Sequence, residues 1–265
     1  MISFKNKVVW ITGASSGIGE CLAEEFAKEG ARVIISSHEP DELQRVQRKL
    51  APVSKEVYPV VFNLGNPGEV QDAAAQVLKE FGQVDVLMNN GGISQRSLVA
   101  ETPLEIDRRL MEIDYFAGVI LSKAVLPGMI EQGEGYFGVT STIAGKFGFP
   151  MRSAYSAAKH ALFGFYESLL AENHRFGIRV TMFSPGRVQT NISLNALDKE
   201  GKARGVMDPG QAKGITPEAC ARKMVRSMKK GRRDVLIGGS ELLMVYIYKY
   251  MRKLYYRMAR RISPF

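Results

Sequence analysis

A tyrosine and a lysine one helical turn apart, Tyr155 and Lys159, are the residues of this chain best suited to acid–base chemistry. Residues at this spacing lie on one face of a helix. A free phenol has a pKa of about 10 and exchanges protons poorly at neutral pH. An adjacent ammonium group favours the phenolate and brings the pKa toward the working range. Alone, the pair is a common surface arrangement, so its function depends on the motifs around it.

A glycine-rich segment, TGASSGIG at Thr12–Gly19, lies between a predicted strand and a predicted helix. In this position Gly13 permits a tight turn, Gly17 lets the backbone approach a pyrophosphate, and Gly19 lets the helix pack closely on the strand. The amino end of the helix also favours an anion. Because the pattern stands at the first strand-to-helix turn, it predicts a dinucleotide phosphate site rather than a turn without a ligand.

Four motifs in order resemble the short-chain dehydrogenase/reductase family, in its shorter branch, over about residues 5–240. The two further motifs are Asn89-Asn90-Gly91-Gly92 after the fourth predicted strand and Pro185-Gly186-x-Val188-x-Thr190 after the sixth. The resemblance implies an NAD(P)-dependent oxidoreductase that interconverts an alcohol and a ketone or aldehyde. The segment around Tyr155, STIAGKFGFPMRSAYSAAKHAL, resembles members that act on steroids, retinoids and other lipophilic carbonyls.

The resemblance implies four catalytic residues. Tyr155 would exchange a proton with the substrate oxygen, while Lys159 would lower the pKa of that tyrosine and hold the nicotinamide ribose. Thr142 stands in place of the family's serine, with Ser141 as the alternative. Threonine keeps the hydroxyl and adds a methyl group that stiffens the side chain. Asp114 stands in place of an asparagine, which adds a charge near Lys159.

The resemblance also assigns cofactor contacts to the ends of several strands. Ser37 stands at the position where a carboxylate would select NAD by binding the ribose 2′-hydroxyl. His38 stands where NADP-preferring relatives often have arginine, whereas Glu39 and Asp41 weigh against a 2′-phosphate. The prediction is therefore NADP, with NAD as the alternative. The predicted cofactor-binding residues are Gly13, Ser15, Ser16, Gly17, Ile18, Gly19, Ser37, His38, Asn63, Leu64, Asn90, Gly91, Tyr155, Lys159, Pro185, Gly186, Val188 and Thr190.

The elements that must position these residues alternate along the chain as strands and helices. The predicted strands are Lys7–Thr12, Ala31–Ser37, Glu56–Phe62, Val84–Asn89, Gly135–Ser141, Ile178–Ser184 and Asp234–Ile237. Near-continuous apolar strands between helices predict a parallel sheet covered on both faces. Right-handed crossovers then give a Rossmann-like, doubly wound α/β fold. We assign residues 1–240 to one NAD(P)-binding domain with a substrate lid at 187–215, and residues 241–265 to a C-terminal extension.

Composition excludes several classes of protein. Of 265 residues, 45% are hydrophobic and 24% charged, which is typical of a globular chain and not of a disordered or fibrous one. The two cysteines, Cys21 and Cys220, form no disulfide framework or metal cluster in the sequence and fit a reducing compartment. The N-terminus lacks a secretory signal, and no uninterrupted apolar run approaches the ~20 residues of a spanning helix. We expect a cytoplasmic protein with a small-molecule substrate and no nucleic-acid partner; the resemblance implies a homodimer or homotetramer.

The net charge is concentrated near the C-terminus, in the region of the predicted helix Leu242–Arg261. The whole chain carries +9, and 13 Lys/Arg against three acidic residues from Glu218 onward give +10. One helical side would hold Leu243, Met244, Ile247, Tyr248, Met251, Leu254, Tyr255 and Met258. Basic residues opposite such a face are typical of helices in a lipid interface. The segment therefore predicts contact with a membrane surface or an acidic partner; the alternative is packing over the substrate pocket or a subunit contact.

Two other functions stay open from the sequence. Asp114 and Thr142 would also fit a catalytically impaired, nucleotide-binding regulatory protein of the same fold. An epimerase or dehydratase of the longer relatives is disfavoured by the glycine spacing.

Phe147, Phe149 and Met151 would either make the substrate pocket apolar or serve as core packing.

Overall fold

The seven apolar runs form one parallel sheet of order β3-β2-β1-β4-β5-β6-β7 in a computed structural model, which describes residues 2–261. The strands are β1 Val8–Thr12, β2 Arg32–Ser37, β3 Val57–Val61, β4 Val86–Asn89, β5 Gly135–Thr140, β6 Ile178–Pro185 and β7 Asp234–Ile237. Every residue of β1, β4 and β5 is buried, because helices cover both faces of the sheet. The predicted doubly wound α/β fold is confirmed.

Ten α-helices within residues 2–261 surround the sheet. They are α1 Gly17–Lys28, α2 Pro40–Leu50, α3 Pro67–Phe81, α4 Leu104–Met111, α5 Ala117–Glu131, α6 Ser153–Asn173, α7 Pro209–Ala212, α8 Pro217–Lys229, α9 Leu243–Tyr250 and α10 Arg252–Ala259. Capping residues mark where some begin: Asn66 accepts hydrogen bonds from the backbone of Gly68 and Glu69, and Thr216 caps α8. A proline follows each cap at the first helical position, where its missing N–H costs nothing.

The core lies on both sides of the sheet, as adjacent residues of β1 show. Ile11 packs with Leu22 of α1 and Met224 of α8, whereas Trp10 packs on the opposite face with helices α3, α5 and α6. Successive strand residues point to opposite faces, so one strand supplies both halves of the core. The buried indole of Trp10 donates a hydrogen bond of 2.9 Å to Ser36 Oγ, which compensates for its loss of water.

A π-helical turn, Glu112–Phe116, joins α4 and α5 into one helical stretch, Leu104–Glu131, whereas the apolar periodicity of the sequence predicts two helices, at about 103–111 and 113–131. By length and composition this stretch could cross a membrane, although Asp114 interrupts its apolar run. It packs instead within the domain, α4 against α6 and α5 against α3, and 44% of its most apolar window is buried. A core helix of a soluble protein passes the same test. The π turn also brings Asp114 into the buried interior.

The C-terminal segment forms two helices, α9 and α10, which corrects the prediction of one helix over Leu242–Arg261. They part at Met251, whose backbone leaves the helical region at φ −132° and ψ 53°. Ile247 and Tyr255 are buried against Phe147, so the predicted apolar side is divided between the domain and solvent. The last residues of the predicted extension, 262–265, lie outside the described residues.

Candidate active site

The predicted site residues converge at the carboxyl ends of the central strands. The backbone N–H groups of Asn90 and Gly91, after β4, donate to Thr12 Oγ1 at 3.1 and 3.0 Å. Thr140 Oγ1, at the end of β5, donates to Asn90 Oδ1 at 3.1 Å. In the sheet, β1 lies between β2 and β4, so the order of the strands reverses its direction at β1. Ligands of open α/β sheets bind in the crevice at such a switch point, outside the carboxyl ends of the strands.

The glycine loop after β1 has the close backbone approaches that its sequence predicts. Gly13 has φ +64°, and a Cβ on it would lie 2.6 Å from the Cα of Gly91. A Cβ on Gly19 would collide with the carbonyl of Gly13. Within the described residues, the N-cap Ser16 makes no side-chain capping bond, so the first amides of α1 are available to an anion.

The loop after β6 lies against the glycine loop. A Cβ on Gly17 would stand 3.1 Å from Thr190 Cγ2, so the two loops form opposite walls of one crevice. Pro185 ends β6, and the N–H of Gly186 donates to the carbonyl of Ile237 at 2.7 Å. Val188 is buried in this loop. The structure therefore brings the predicted phosphate and nicotinamide segments together.

Tyr155 and Lys159 lie on one face of α6 with exposed fractions of only 8% and 4%. Lys159 Nζ is 5.9 Å from the centroid of the Tyr155 ring and donates to the carbonyl of Thr140 at 3.3 Å. Burial raises the pKa of Tyr155 to about 12, and the nearby carboxylate of Asp114 acts in the same direction. The phenol is therefore protonated at neutral pH in this structure. The lowering of its pKa by Lys159 stays a prediction.

The two candidate hydroxyls before α6 point in different directions. Ser141 Oγ is buried and donates to the backbone carbonyl of Lys159 at 3.1 Å. Thr142 Oγ1 donates to the carbonyl of Pro185 at 3.2 Å and lies near enough to the Tyr155 phenol to oppose the rise of its pKa. Thr142 is therefore the hydroxyl that shares the crevice with Tyr155.

The carboxyl group of Asp114 is a second titratable group close to the ammonium of Lys159. Its Oδ1 accepts a hydrogen bond of 2.7 Å from the N–H of Ile93. Its Oδ2 has no hydrogen-bond partner within residues 2–261 and lies 3.8 Å from Lys159 Nζ. Burial raises the pKa of Asp114 to about 6, while Lys159 opposes the shift. A small cavity beside the pair is also lined by Asn89 and Thr140.

The predicted adenosine end of the site contains a carboxylate close to the glycine loop. Ser15 Oγ donates to Glu39 Oε2 at 2.7 Å, and the N–H of Glu39 donates to Ser37 Oγ at 3.2 Å. Arg45 donates to the carbonyl of Ser15 at 2.9 Å, but its charge is shared with two other carboxylates, Glu20 and Glu42. The negative charge nearest Ser15 is therefore that of Glu39.

The remaining predicted cofactor residues lie around this end of the crevice. His38 is exposed beside Ser37. Asn63 follows β3 and accepts a hydrogen bond of 2.8 Å from the N–H of Gly65. Leu64 lies so close to Gly91 that a Cβ there would collide with its side chain. The partly buried Ile18 packs beneath the loop, against the core face that contains α1.

The sequence analysis missed a group of charges beside Tyr155. Asp208, in the predicted lid, accepts from Arg96 at 2.7 Å and from Arg152 at 3.0 Å, and Arg204 lies 3.2 Å from its other oxygen. Burial lowers the pKa of Arg152 to about 10. Both Arg96 and Arg152 oppose the upward shift of the Tyr155 pKa. The only sequence signal for this group of charges was the position of Arg152, about one helical turn before Tyr155.

A parallel, doubly wound sheet with a glycine loop at its switch point and a buried Tyr–Lys pair facing the same crevice defines a nucleotide-binding oxidoreductase. The chain belongs to the short chain dehydrogenase family, whose model matches residues 7–201. It is 40% identical over 237 residues to a Mus musculus protein, "Dehydrogenase/reductase SDR family member 7B", covering 88% of this chain and 73% of that one. A Drosophila melanogaster protein, "Dehydrogenase/reductase SDR family protein 7-like", is 38% identical over 249 residues, and the match covers 92% of this chain and 76% of that one.

Solved structures share the fold. A short-chain dehydrogenase/reductase from Burkholderia phymatum, crystallised in complex with NAD, has a TM-score of 0.85 at 23% identity and covers 96% of both chains. A short-chain dehydrogenase from Streptomyces avermitilis has a TM-score of 0.82 at 26% identity, covering 99% of this chain and 100% of that one. An alcohol dehydrogenase from Thermococcus sibiricus complexed with 5-hydroxy-NADP has a TM-score of 0.76 at 24% identity, covering 88% of this chain and 97% of that one.

Proposed function

We propose that this protein interconverts an alcohol and a ketone or aldehyde on a lipophilic substrate, with Tyr155 as the acid/base group. The observation that carries the proposal is the burial of the Tyr155 side chain on the same face of α6 as Lys159, near the hydroxyl of Thr142 at the switch point. A protonated phenol can donate to a developing alkoxide, and a second hydroxyl can hold the same oxygen in place.

A nicotinamide cofactor fits the residues around this crevice. Gly13 and Gly19 leave no room for a side chain, and the first amides of α1 are available for a pyrophosphate. Lys159, behind Tyr155, is suited to hold a ribose hydroxyl, and the Pro185–Thr190 segment to hold the carboxamide. When bound, the cofactor supplies or accepts the hydride. Tyr155 moves the proton, and Thr142 orients the substrate oxygen.

A lipophilic substrate is supported by the apolar residues that surround Tyr155. Tyr155 packs with Ile106, Ala154 and Leu197, and the partly buried Ile93 and Phe149 pack against this group. Phe147 is fully buried against Ile247 and Tyr255, so its role is packing. We propose that residues 187–215 form the substrate lid, and that the ion pairs of Asp208 hold it near the site.

A substrate panel tests the proposed function. We expect oxidation of NADPH or NADH with ketones and aldehydes that carry long apolar chains, and much slower oxidation with small water-soluble carbonyls of the same functional group. The measurement is the initial rate of loss of the reduced cofactor. If the cofactor binds but no carbonyl or alcohol in the panel is converted, the impaired regulatory protein replaces this proposal.

The cofactor preference depends on two opposing features of the adenosine end. The absence of a carboxylate at Ser37 favours NADP, whereas the carboxylate of Glu39, held on Ser15, opposes a 2′-phosphate. We therefore expect NADPH to bind only modestly tighter than NADH. Glu39→Gln removes the charge, and we expect it to raise affinity for NADPH relative to NADH about fivefold, as for one unit charge at contact distance in water.

Fluorescence titration of both reduced cofactors measures this preference. His38→Asp should reverse it, because a carboxylate accepts from the 2′-hydroxyl and repels the phosphate. Glu56→Gln is the matched control, since Glu56 precedes β3 and so lies at the amino ends of the strands, away from the carboxyl end of β2 that holds Ser37. Tighter NADH binding by the unmodified protein would refute the NADP preference, and an unchanged ratio in Glu39→Gln would remove Glu39 from the explanation.

A further inference from the structure

Two short helices at the C-terminal end, α9 and α10, expose apolar side chains that the fold does not use. Leu243, Tyr246 and Tyr250 follow the i, i+3, i+7 spacing of one helical face in α9, and Leu243 and Tyr250 are 61% and 70% exposed. Leu254 and Met258 lie one turn apart in α10, Met251 directly precedes that helix, and all three are also exposed. We call these six residues the C-terminal apolar surface.

Other side chains attach these helices to the domain. Ile247 and Tyr255 are buried against Phe147, and the phenol of Tyr255 donates to the carbonyl of Gly148. The rings of Tyr248 and Tyr255 lie 5.8 and 5.3 Å from that of Phe147. Because these contacts hold α9 and α10 in place, the exposed residues are not needed for attachment. Exposed apolar side chains grouped on one helical face, as in α9, are typical of an interaction site.

Basic residues are interspersed with the C-terminal apolar surface. Lys249, Arg252, Lys253, Arg257, Arg260 and Arg261 are all exposed. The sequence from 242 to 261 contains no aspartate or glutamate. A second copy of the chain on this surface would place like charges against each other. An anionic bilayer complements the charges, and its interfacial region suits both the aliphatic side chains and the tyrosines.

We propose that the C-terminal apolar surface and its six basic residues bind the surface of an anionic membrane. The helices lie in the interface rather than across it, because each is only 8 residues long. Binding has an electrostatic part that salt weakens and an apolar part that salt does not weaken.

The position of this surface connects the membrane with the active site. Phe149 packs both with the group that contains Phe147, Ile247 and Tyr255 and with the group around Tyr155. A bilayer bound at α9 and α10 therefore lies against helices that pack, through Phe149, on the apolar residues around Tyr155. This consequence rests on the proposed function: a lipophilic substrate would enter from the bilayer without crossing water. Membrane binding itself does not depend on it.

Co-sedimentation of the full chain with vesicles tests the proposal. We expect the protein to sediment with vesicles of phosphatidylcholine and phosphatidylserine at low salt and to stay in solution with phosphatidylcholine alone. Lys249→Glu with Lys253→Glu should lower the partition coefficient at least about thirtyfold, since each of the two lost charges contributes about 1 kcal/mol and the new carboxylates are repelled by the surface. Lys55→Glu with Lys79→Glu is the matched control. Both lysines are exposed and lie outside α9 and α10, Lys55 before β3 and Lys79 within α3.

A second variant tests the apolar part. Leu243→Ser, Tyr246→Ser and Tyr250→Ser together should remove the binding that persists at high salt, and circular dichroism checks that the variant is folded. The proposal is overturned if the unmodified protein stays in solution with anionic vesicles, or if both lysine pairs matter equally. It is also overturned if the serine variant binds as before, or changes oligomeric state without lipid, which would make the surface a subunit contact. Turnover of a lipophilic aldehyde dissolved in detergent separates these outcomes from failure of the proposed function, because it needs no membrane.

Discussion

Replacing Tyr155 by phenylalanine is expected to lower kcat about a thousandfold, within the usual range for loss of a general acid–base group. In the proposed mechanism the phenol is the proton donor, and burial raises its pKa to about 12. Phenylalanine keeps the ring and its packing with Ala154 and Leu197, so the fold should be unaffected. The glycine loop and α1 are unchanged, so the cofactor should bind with the same affinity.

The measurement pairs steady-state kinetics with cofactor titration. Tyr58→Phe is the matched control: it removes a phenol on β3 that bonds Glu56, away from the crevice. Loss of turnover with retained cofactor binding in Tyr155→Phe, and normal values in Tyr58→Phe, would support the acid/base role. If Tyr155→Phe keeps the unmodified kcat, another group moves the proton.

The charges around Tyr155 explain why its protonation could not be read from the Tyr-x-x-x-Lys spacing. That spacing places Lys159 beside the phenol, but it says nothing about Asp114, which the π turn brings inward. Asp114 stabilises the neutral phenol and Arg152 the phenolate, so the proton affinity of Tyr155 reflects their balance with burial. Burial also raises the pKa of Asp114, so this carboxyl takes up a proton at a higher pH than an exposed aspartate does.

The fold itself was predictable, because its central strands are buried on both faces and appear in the sequence as continuous apolar runs. The conformation of the glycine loop was also predictable, since Gly13 and Gly19 have a local steric reason. The contacts that tune the site join residues far apart in sequence. Asp208 meets Arg96 and Arg152, and Glu39 meets Ser15, only through the folded chain.

The C-terminal segment shows a different limit. Its helical periodicity was recognised, but a single helical projection cannot show that the backbone turns at Met251. After this turn, Ile247 and Tyr255 face the domain while Leu243 and Met258 remain exposed, although all four share one side of an ideal helix. Tertiary packing therefore decided which apolar residues are available to a partner.

The choice between two neighbouring hydroxyls gives the second large effect. Thr142→Ala is expected to lower kcat about a hundredfold or more, as when a hydrogen bond to a developing oxyanion is lost. Thr142→Ser should keep most of the activity, because it retains the hydroxyl. Ser141→Ala should change kcat little, since Ser141 Oγ donates to the backbone of Lys159 and not into the crevice.

These three variants separate positioning of the substrate oxygen from support of the helix. Loss of the Ser141 hydroxyl leaves the carbonyl of Lys159 without that donor, so its cost should appear as a lower melting temperature at nearly normal kcat. Loss of the Thr142 hydroxyl should appear in kcat, because the hydrogen bond strengthens as charge develops on the substrate oxygen. The measurements are kcat, KM and thermal unfolding for each variant. If Ser141→Ala lowers kcat more than Thr142→Ala does, the catalytic hydroxyl belongs to Ser141, and the hydrogen bond of Thr142 to Pro185 serves only to join β5 and β6.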